Sequence, residues 1–249
     1  MEMSSQAPPV YGAPVEKKSI WSIMVGVFTA PGETFLAYKQ HPRIIIPLIV
    51  LIILLAIVGG LTAKQNGALA YDMFKSSELM PPKALADMRE AVENPHYIKA
   101  ALGAPIWPVI LGVVEALLAM FLGNVIFAGK AKFKETWGVA LLTGLIVALG
   151  GLVRVPLVFA KDTLLVSIGP AALMPGKDFT SIVYFFLYTA DVFGIWAVIV
   201  GGIGYSTIFG VSRGKGYAIS IICFLVLTII IIGLLTTFFS LAGAKITFF

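Results

Sequence analysis

Residues Thr180–Gly216 read TSIVYFFLYTADVFGIWAVIVGGIGYSTIFGVSRGKG. Between Ser181 and Val211 the single charged residue is Asp191, in a run long enough to cross a bilayer. A spanning helix needs ~20 apolar residues at ~1.5 Å each. Counted from Ser181 as one continuous helix, Asp191 falls near mid-membrane, where a carboxylate costs ~2.5–3.5 kcal/mol on insertion scales. Small residues recur at Ala190, Gly194, Ala197, Gly201 and Gly204. That spacing paints one helix face and admits a close neighbour. Asp191 borders this stripe, ~100° away, so it is expected to face protein rather than lipid. The stretch predicts a buried polar site in a polytopic membrane protein and names no ligand.

Composition points the same way. The chain has 249 residues, 59% of them hydrophobic and only 12% charged, far from a soluble profile. One membrane domain is expected. The net charge of +5 forms no basic stripe with interleaved aromatics, so no nucleic-acid partner is predicted. The lysines flank apolar runs, where topology uses them. Cys223 is the only cysteine, which excludes a disulfide or a cysteine-metal framework within the chain.

Working outward, four more apolar runs complete a fold class: an all-α membrane protein with five transmembrane helices. The predicted spans are residues 44–63, 105–128, 137–159, 181–209 and 217–241. Residues 1–18 are polar and Pro-rich, hence a disordered cytoplasmic tail. Residues 19–43 read as an interfacial segment in the headgroup plane, anchored by Trp21 and Phe28 and broken at Pro31-Gly32. Between the first two spans lies a long polar excursion. In it Leu85, Met88 and Val92 recur at helical spacing, predicting an amphipathic helix in an extracytoplasmic loop.

Two further ionisable residues fall inside spans. Glu115 shares a face with Gly112, Ala116, Ala119 and Gly123, and Arg154 continues a face made by Ala140, Gly144, Ala148 and Gly151. The short connectors GKAKFKET and SRGKG and the flank Lys17, Lys18, Lys39 and Arg43 are densely basic. The positive-inside rule therefore places the N-terminus in the cytoplasm and the C-terminus outside. With that topology Glu115 and Asp191 lie at nearly equal depth and Arg154 lies ~7 Å from the outer boundary. Buried separately, the three would cost roughly 8–10 kcal/mol, which presses them toward one shared network. Three readings stay open: a fixed ion-paired clasp, a working site for protons, ions or a headgroup, and lipid-facing snorkelling with no network.

Other chemistry finds little support. The only histidines, His41 and His96, lie outside the spans, so Ser206 has no base for intramembrane serine hydrolysis. Asp191 lacks the Gly-x-Gly-Asp setting and the second aspartate of an aspartyl intramembrane protease. No phosphate-loop lysine motif, dinucleotide fingerprint or metal-spaced His/Cys cluster is present. No catalytic residue, metal or cofactor is predicted.

Four short motifs occur in order. They are Pro-x-x-x-Phe (Pro31–Phe35), Lys-Phe-Lys-Glu (Lys132–Glu135), Asp-x-Phe-x-Ile-Trp (Asp191, Phe193, Trp196) and Gly-Val-Ser-Arg-Gly-Lys (Gly210–Lys215). With five spans, this order resembles the Yip family of Ypt-interacting-protein-type membrane proteins, over Pro31 to the C-terminus. Eukaryotic members are implicated in Golgi and ER vesicle traffic through small GTPases. The short N-terminal tail and long loop are more similar to prokaryotic members, which implies a prokaryotic inner membrane. The resemblance implies a non-enzymatic scaffold or adaptor with a protein partner on the cytoplasmic face and the lipid bilayer around it, oligomerisation being open. A transporter or lipid-handling protein built on Glu115, Arg154 and Asp191 is the alternative.

Overall fold

The computed structural model describes residues 18–75, 77, 79–174 and 181–241; the 1–17 and 242–249 tails lie outside them. Every regular element among these residues is helical. Two short helices open the chain, α1 (Ile20–Thr29) and α2 (Pro31–Gln40). Ser19 caps α1 by accepting from the Ser22 N–H, and Pro31 starts α2 at a position where its missing N–H costs nothing.

Five apolar segments then build the bundle. The first is α3 (Ile45–Leu61), 17 residues with Pro47 in its first turn, followed by a 66° bend into α4 (Ala63–Phe74). After α5 (Pro82–Glu93), the predicted amphipathic helix, a stepwise helical segment runs through α6 (Tyr97–Gly103), α7 (Ile106–Met120) and a π-helical end, Phe121–Ile126. The third, α8 (Phe133–Lys161), starts four residues before the predicted 137. The Lys132 N–H donates to Glu135 Oε2 at 2.7 Å, which satisfies a free donor one turn earlier than hydropathy would suggest. Pro156 lies inside α8 without ending it. The last, α11 (Arg213–Leu241), likewise begins earlier than the predicted 217. Counting the bent α3–α4 pair as one, five segments among the described residues are long and apolar enough to span a membrane.

The predicted fourth span differs most. Instead of one helix over 181–209, the chain forms α9 (Ile182–Thr189) and α10 (Val192–Phe209), parted at Ala190-Asp191. Asp191 is extended (φ −76°, ψ −179°), and its Oδ1 accepts the Gly194 N–H at 2.7 Å. It is therefore an N-cap, not a mid-helix charge. Gly194 makes the break possible: the Thr189 carbonyl presses where a side chain would start.

α8 is the central staff, with α3, α7 and α10 packed along it and α11 lying on α10. The small-residue faces form these contacts. Gly144 and Gly151 meet Leu51 and Val58 of α3, and Gly201 leaves room for Ser220 of α11, whose Oγ stands 2.7 Å from the missing Cβ. Gly112 is looser, with Trp137 Nε1 at 3.9 Å.

The N-terminal helices are docked on the bundle, not simply laid in a headgroup plane. Ile20, Ile23, Met24 and Val27 of α1 and Phe35 and Tyr38 of α2 are buried in the main core. Trp21 is 61% exposed. Phe28 turns inward, and its ring stands edge-on to Trp196 at 5.6 Å. The apolar period of α1 has one face for the protein and one for its surroundings.

Candidate functional site

The break before α10 sets Asp191 against α8. Its Oδ2 lies 3.1 Å from Arg154 Nη2, with the two side chains 3% and 15% exposed. The Arg154 guanidinium also sits over the Tyr188 ring, 4.9 Å from its centroid, a favourable cation–π placement. Gly169, in the loop before a short 3₁₀ turn (Pro170–Leu173), lies directly on Asp191: a Cβ there would be 2.7 Å from the Asp191 Cα. Loop, α9, α10 and α8 thus close around one ion pair.

Glu115 is not part of it. Its Oε1 accepts the Tyr205 hydroxyl at 2.7 Å, with the Cys223 thiol 4.0 Å from its backbone carbonyl. Tyr205 is 14 residues beyond Asp191 on α10, ~21 Å along the axis. The expected three-residue network therefore splits into an ion pair and a separate hydrogen-bonded carboxyl. The cause is the break. Depth counted from Ser181 treats 181–209 as one rod, whereas Asp191 stands at the first end of α10.

The other motif residues take packing roles. Phe193 lies on Gly150, 2.6 Å from where a Cβ would stand, so α10 and α8 meet at backbone distance beside the ion pair. Trp196 meets Phe28. Pro31 starts α2, and Phe35, fully buried, fits against Gly204 and Val139. Tyr38 fills the space over Gly138, and its hydroxyl donates to the Lys134 carbonyl at 3.4 Å. Burial, with the Glu135 carboxylate adding to it, pushes the Tyr38 phenol above its ordinary range, so it acts as a neutral donor. Lys39 Nζ donates to the Thr207 carbonyl at 2.9 Å, near the C-terminus of α10 where a cation is favoured.

At that end of the bundle the basic turns gather. Asn124 Nδ2 donates to the Ala131 carbonyl and its Oδ1 accepts the Ala131 N–H, both at 2.9 Å, folding the first turn back. The Lys130 N–H then donates to the Phe209 carbonyl at 3.3 Å. Arg43, Lys130, Lys132, Lys134, Arg213 and Lys215 are exposed there. No group of three or more His, Cys, Asp or Glu among the described residues has the geometry to hold a metal ion.

A family model, the Yip1 domain, matches residues 25–235. The chain belongs to the Yip1 domain family. One curated relative, "Membrane protein YknW" of Bacillus subtilis (strain 168), is 25% identical over 227 residues, covering 88% of this chain and 90% of the relative. No solved structure gives a significant match. The Yip1 match begins inside α1 and ends inside α11. It thus takes in the docked α2, the Arg154–Asp191 pair and both basic turns. Sequence reasoning missed Tyr188, Tyr205 and Gly169. A signal for the first was present, since Tyr188 lies three residues before Asp191.

Proposed function

We propose that this multi-pass Yip1-domain protein is a non-enzymatic scaffold or adaptor of a bacterial cell membrane, which recruits a protein partner to the face carrying its basic turns. One observation carries the reading. α2 is tied into the bundle by Phe35, Tyr38 and Lys39, at the same end that exposes six basic side chains on two turns and one flank. A docked helix beside fixed cationic turns makes a preformed plate. A rigid surface loses little ordering entropy on binding, and its charge steers an acidic partner. The positive-inside rule puts this plate in the cytoplasm. Inside the bundle, the Arg154–Asp191 ion pair joins α8 to the start of α10 and the Tyr205 hydroxyl joins α10 to Glu115 of α7, contacts that suit holding helices together.

The test is photo-crosslinking in the native bacterium, with a crosslinking residue at Lys134, at Arg213 and, on the other end, at Arg89. A discrete protein adduct at the first two positions and not at Arg89 is expected, weakened by charge reversal of Lys132. Adducts to lipid alone, or equal protein adducts at all three positions, would discard the adaptor reading.

A further inference from the structure

The two ends of the bundle treat charge differently. Residues 64–99 carry five basic and five acidic side chains, and Lys64, Lys75 and Arg89 each hold a carboxylate, at 3.1, 2.8 and 3.2 Å. At the end with the basic turns, residues 18–43, 130–135 and 213–215 carry eight basic side chains and two acids. Both acids are already engaged, Glu33 by Lys18 at 3.4 Å and Glu135 by the Lys132 N–H at 2.7 Å. None of the six exposed cations there makes an ion pair among the described residues. Like charges fixed close together repel, and an anion from outside the chain relieves that cost.

Leu36 lies among these cations. Phe35 and Tyr38, both 0% exposed, sit in the hollows left by Gly204 and Gly138 and fix the rotation of α2. The opposite face is thereby held outward, and Leu36 on it is 55% exposed. Gly32, one turn earlier on that face, lies beside Arg213: a Cβ there would stand 3.8 Å from Nη2. Two residues after Leu36, Tyr38 bonds to the Lys134 carbonyl, and the Lys39 Nζ beyond it holds a carbonyl and no carboxylate. An apolar side chain is thus bracketed by positive charge over ~9 Å of helix, from Gly32 to Tyr38. Glu33 shares the face, with its side chain 78% exposed. A sheet of anionic headgroups would press phosphate against that carboxylate, whereas a peptide can set its acids to either side of it.

We propose that Leu36 is the apolar centre of the basic plate and that the partner it fits is an acidic peptide segment with one large apolar side chain set between carboxylates. The apolar side chain covers Leu36, and the carboxylates take Arg213 on one side and Lys134 on the other. An apolar centre within a charged rim is the usual anatomy of a protein interface. This inference deepens the adaptor reading and rests on it.

The test uses the full chain in the native bacterium, with a photo-crosslinking residue at Leu36, at Lys134 or at Arg213 and the crosslinked peptide sequenced by mass spectrometry. A protein adduct at 36 is expected, joined to a peptide that carries a large apolar residue with acids on both sides. Leu36→Ser should weaken the adduct at 134 by about ten-fold, the scale of one buried apolar side chain, and Leu36→Met should keep it. Protein adducts at 134 and 213 that are indifferent to Leu36→Ser, with none at 36, leave the adaptor reading standing and overturn this one. A crosslinked peptide without acids, or lipid alone at 36, also overturns it. Absence of protein adducts at all three positions removes the adaptor reading and this inference with it. Should Leu36→Ser fail to fold, the exposed change Arg213→Glu is read at position 36, where an undiminished adduct refutes the proposal.

Discussion

Asp191 divides its carboxylate between two partners, the Gly194 N–H at Oδ1 and the Arg154 guanidinium at Oδ2. Asparagine at 191 keeps a capping oxygen and loses the countercharge, so Asp191→Asn isolates the loss of the pair. Breaking a buried pair by removing one partner costs ~3–5 kcal/mol, eased here by the Tyr188 ring that still faces Arg154. Arg154→Leu should cost less, because a stranded carboxyl can escape by taking a proton. The double variant should recover much of the loss. Glu115→Gln, held by Tyr205 ~21 Å along α10 from Asp191, should add to Arg154→Leu to within ~0.3–0.5 kcal/mol. Thermal unfolding of the purified variants measures all of this. Additivity between 154 and 191, or coupling between 154 and 115, would contradict the geometry. An acid–guanidinium meeting was one of three readings that the sequence left open, favoured because isolated charges in apolar runs are costly without partners. Which acid Arg154 meets was not. Hydropathy reads a mid-helix aspartate and an N-cap aspartate alike, and only the Asp-x-x-Gly spacing of Asp191 and Gly194 carried a hint of the cap.

At the scale of elements, long apolar runs and the 3.6-residue period were enough to place α3, α7, α8, α11 and the amphipathic α5, while the break that parts α9 from α10 lay inside a run read as one helix. The docking of α2 was hidden for a physical reason. Its buried face is Thr34, Phe35, Ala37 and Tyr38, flanked by Glu33 and Lys39 with the apolar Leu36 exposed between them, so it reads as a surface helix. What seats it is a partner property: Gly138 and Gly204 leave hollows for Tyr38 and Phe35. A methyl group at 138 would occupy the place of the Tyr38 ring. Overpacking of this kind costs ~1–3 kcal/mol, and here it should lift α2 off α8 while the spans stay inserted. Gly138→Ala is therefore expected to make the segment around His41–Arg43 more sensitive to added protease, with the fragment beyond it remaining membrane-bound. Protection equal to wild type would show that α2 is held by its other contacts alone.

For the molecule as a whole, the membrane class and the count of five apolar segments followed from composition and run length, while the tilt between α3 and α4 required tertiary contacts. Gly59 and Gly60 of α3 let Ala104 and Ala101, in and just beyond α6, pack against its end. Orientation can be read by thiol labelling, since the one native thiol, Cys223, is 1% exposed and gives little background. A cysteine at exposed Lys83 should react with an impermeant reagent on intact cells, and one at Lys132 only after permeabilisation. The opposite pattern would invert the topology and move the basic plate outside.

The anchoring of α2 also bears on how the chain is made. Tyr38 bonds to a residue 96 positions later and Lys39 to one 168 positions later. At ~5–20 residues per second of synthesis, Lys39 waits roughly 10–30 s for the Thr207 carbonyl to exist. Through that interval α1 and α2 have no complete bundle to dock on, and α1, with Ile20, Ile23, Met24 and Val27 uncovered, must shelter at the membrane surface or under a chaperone. Residues 20–40 are made before the helices they dock on and are seated after them.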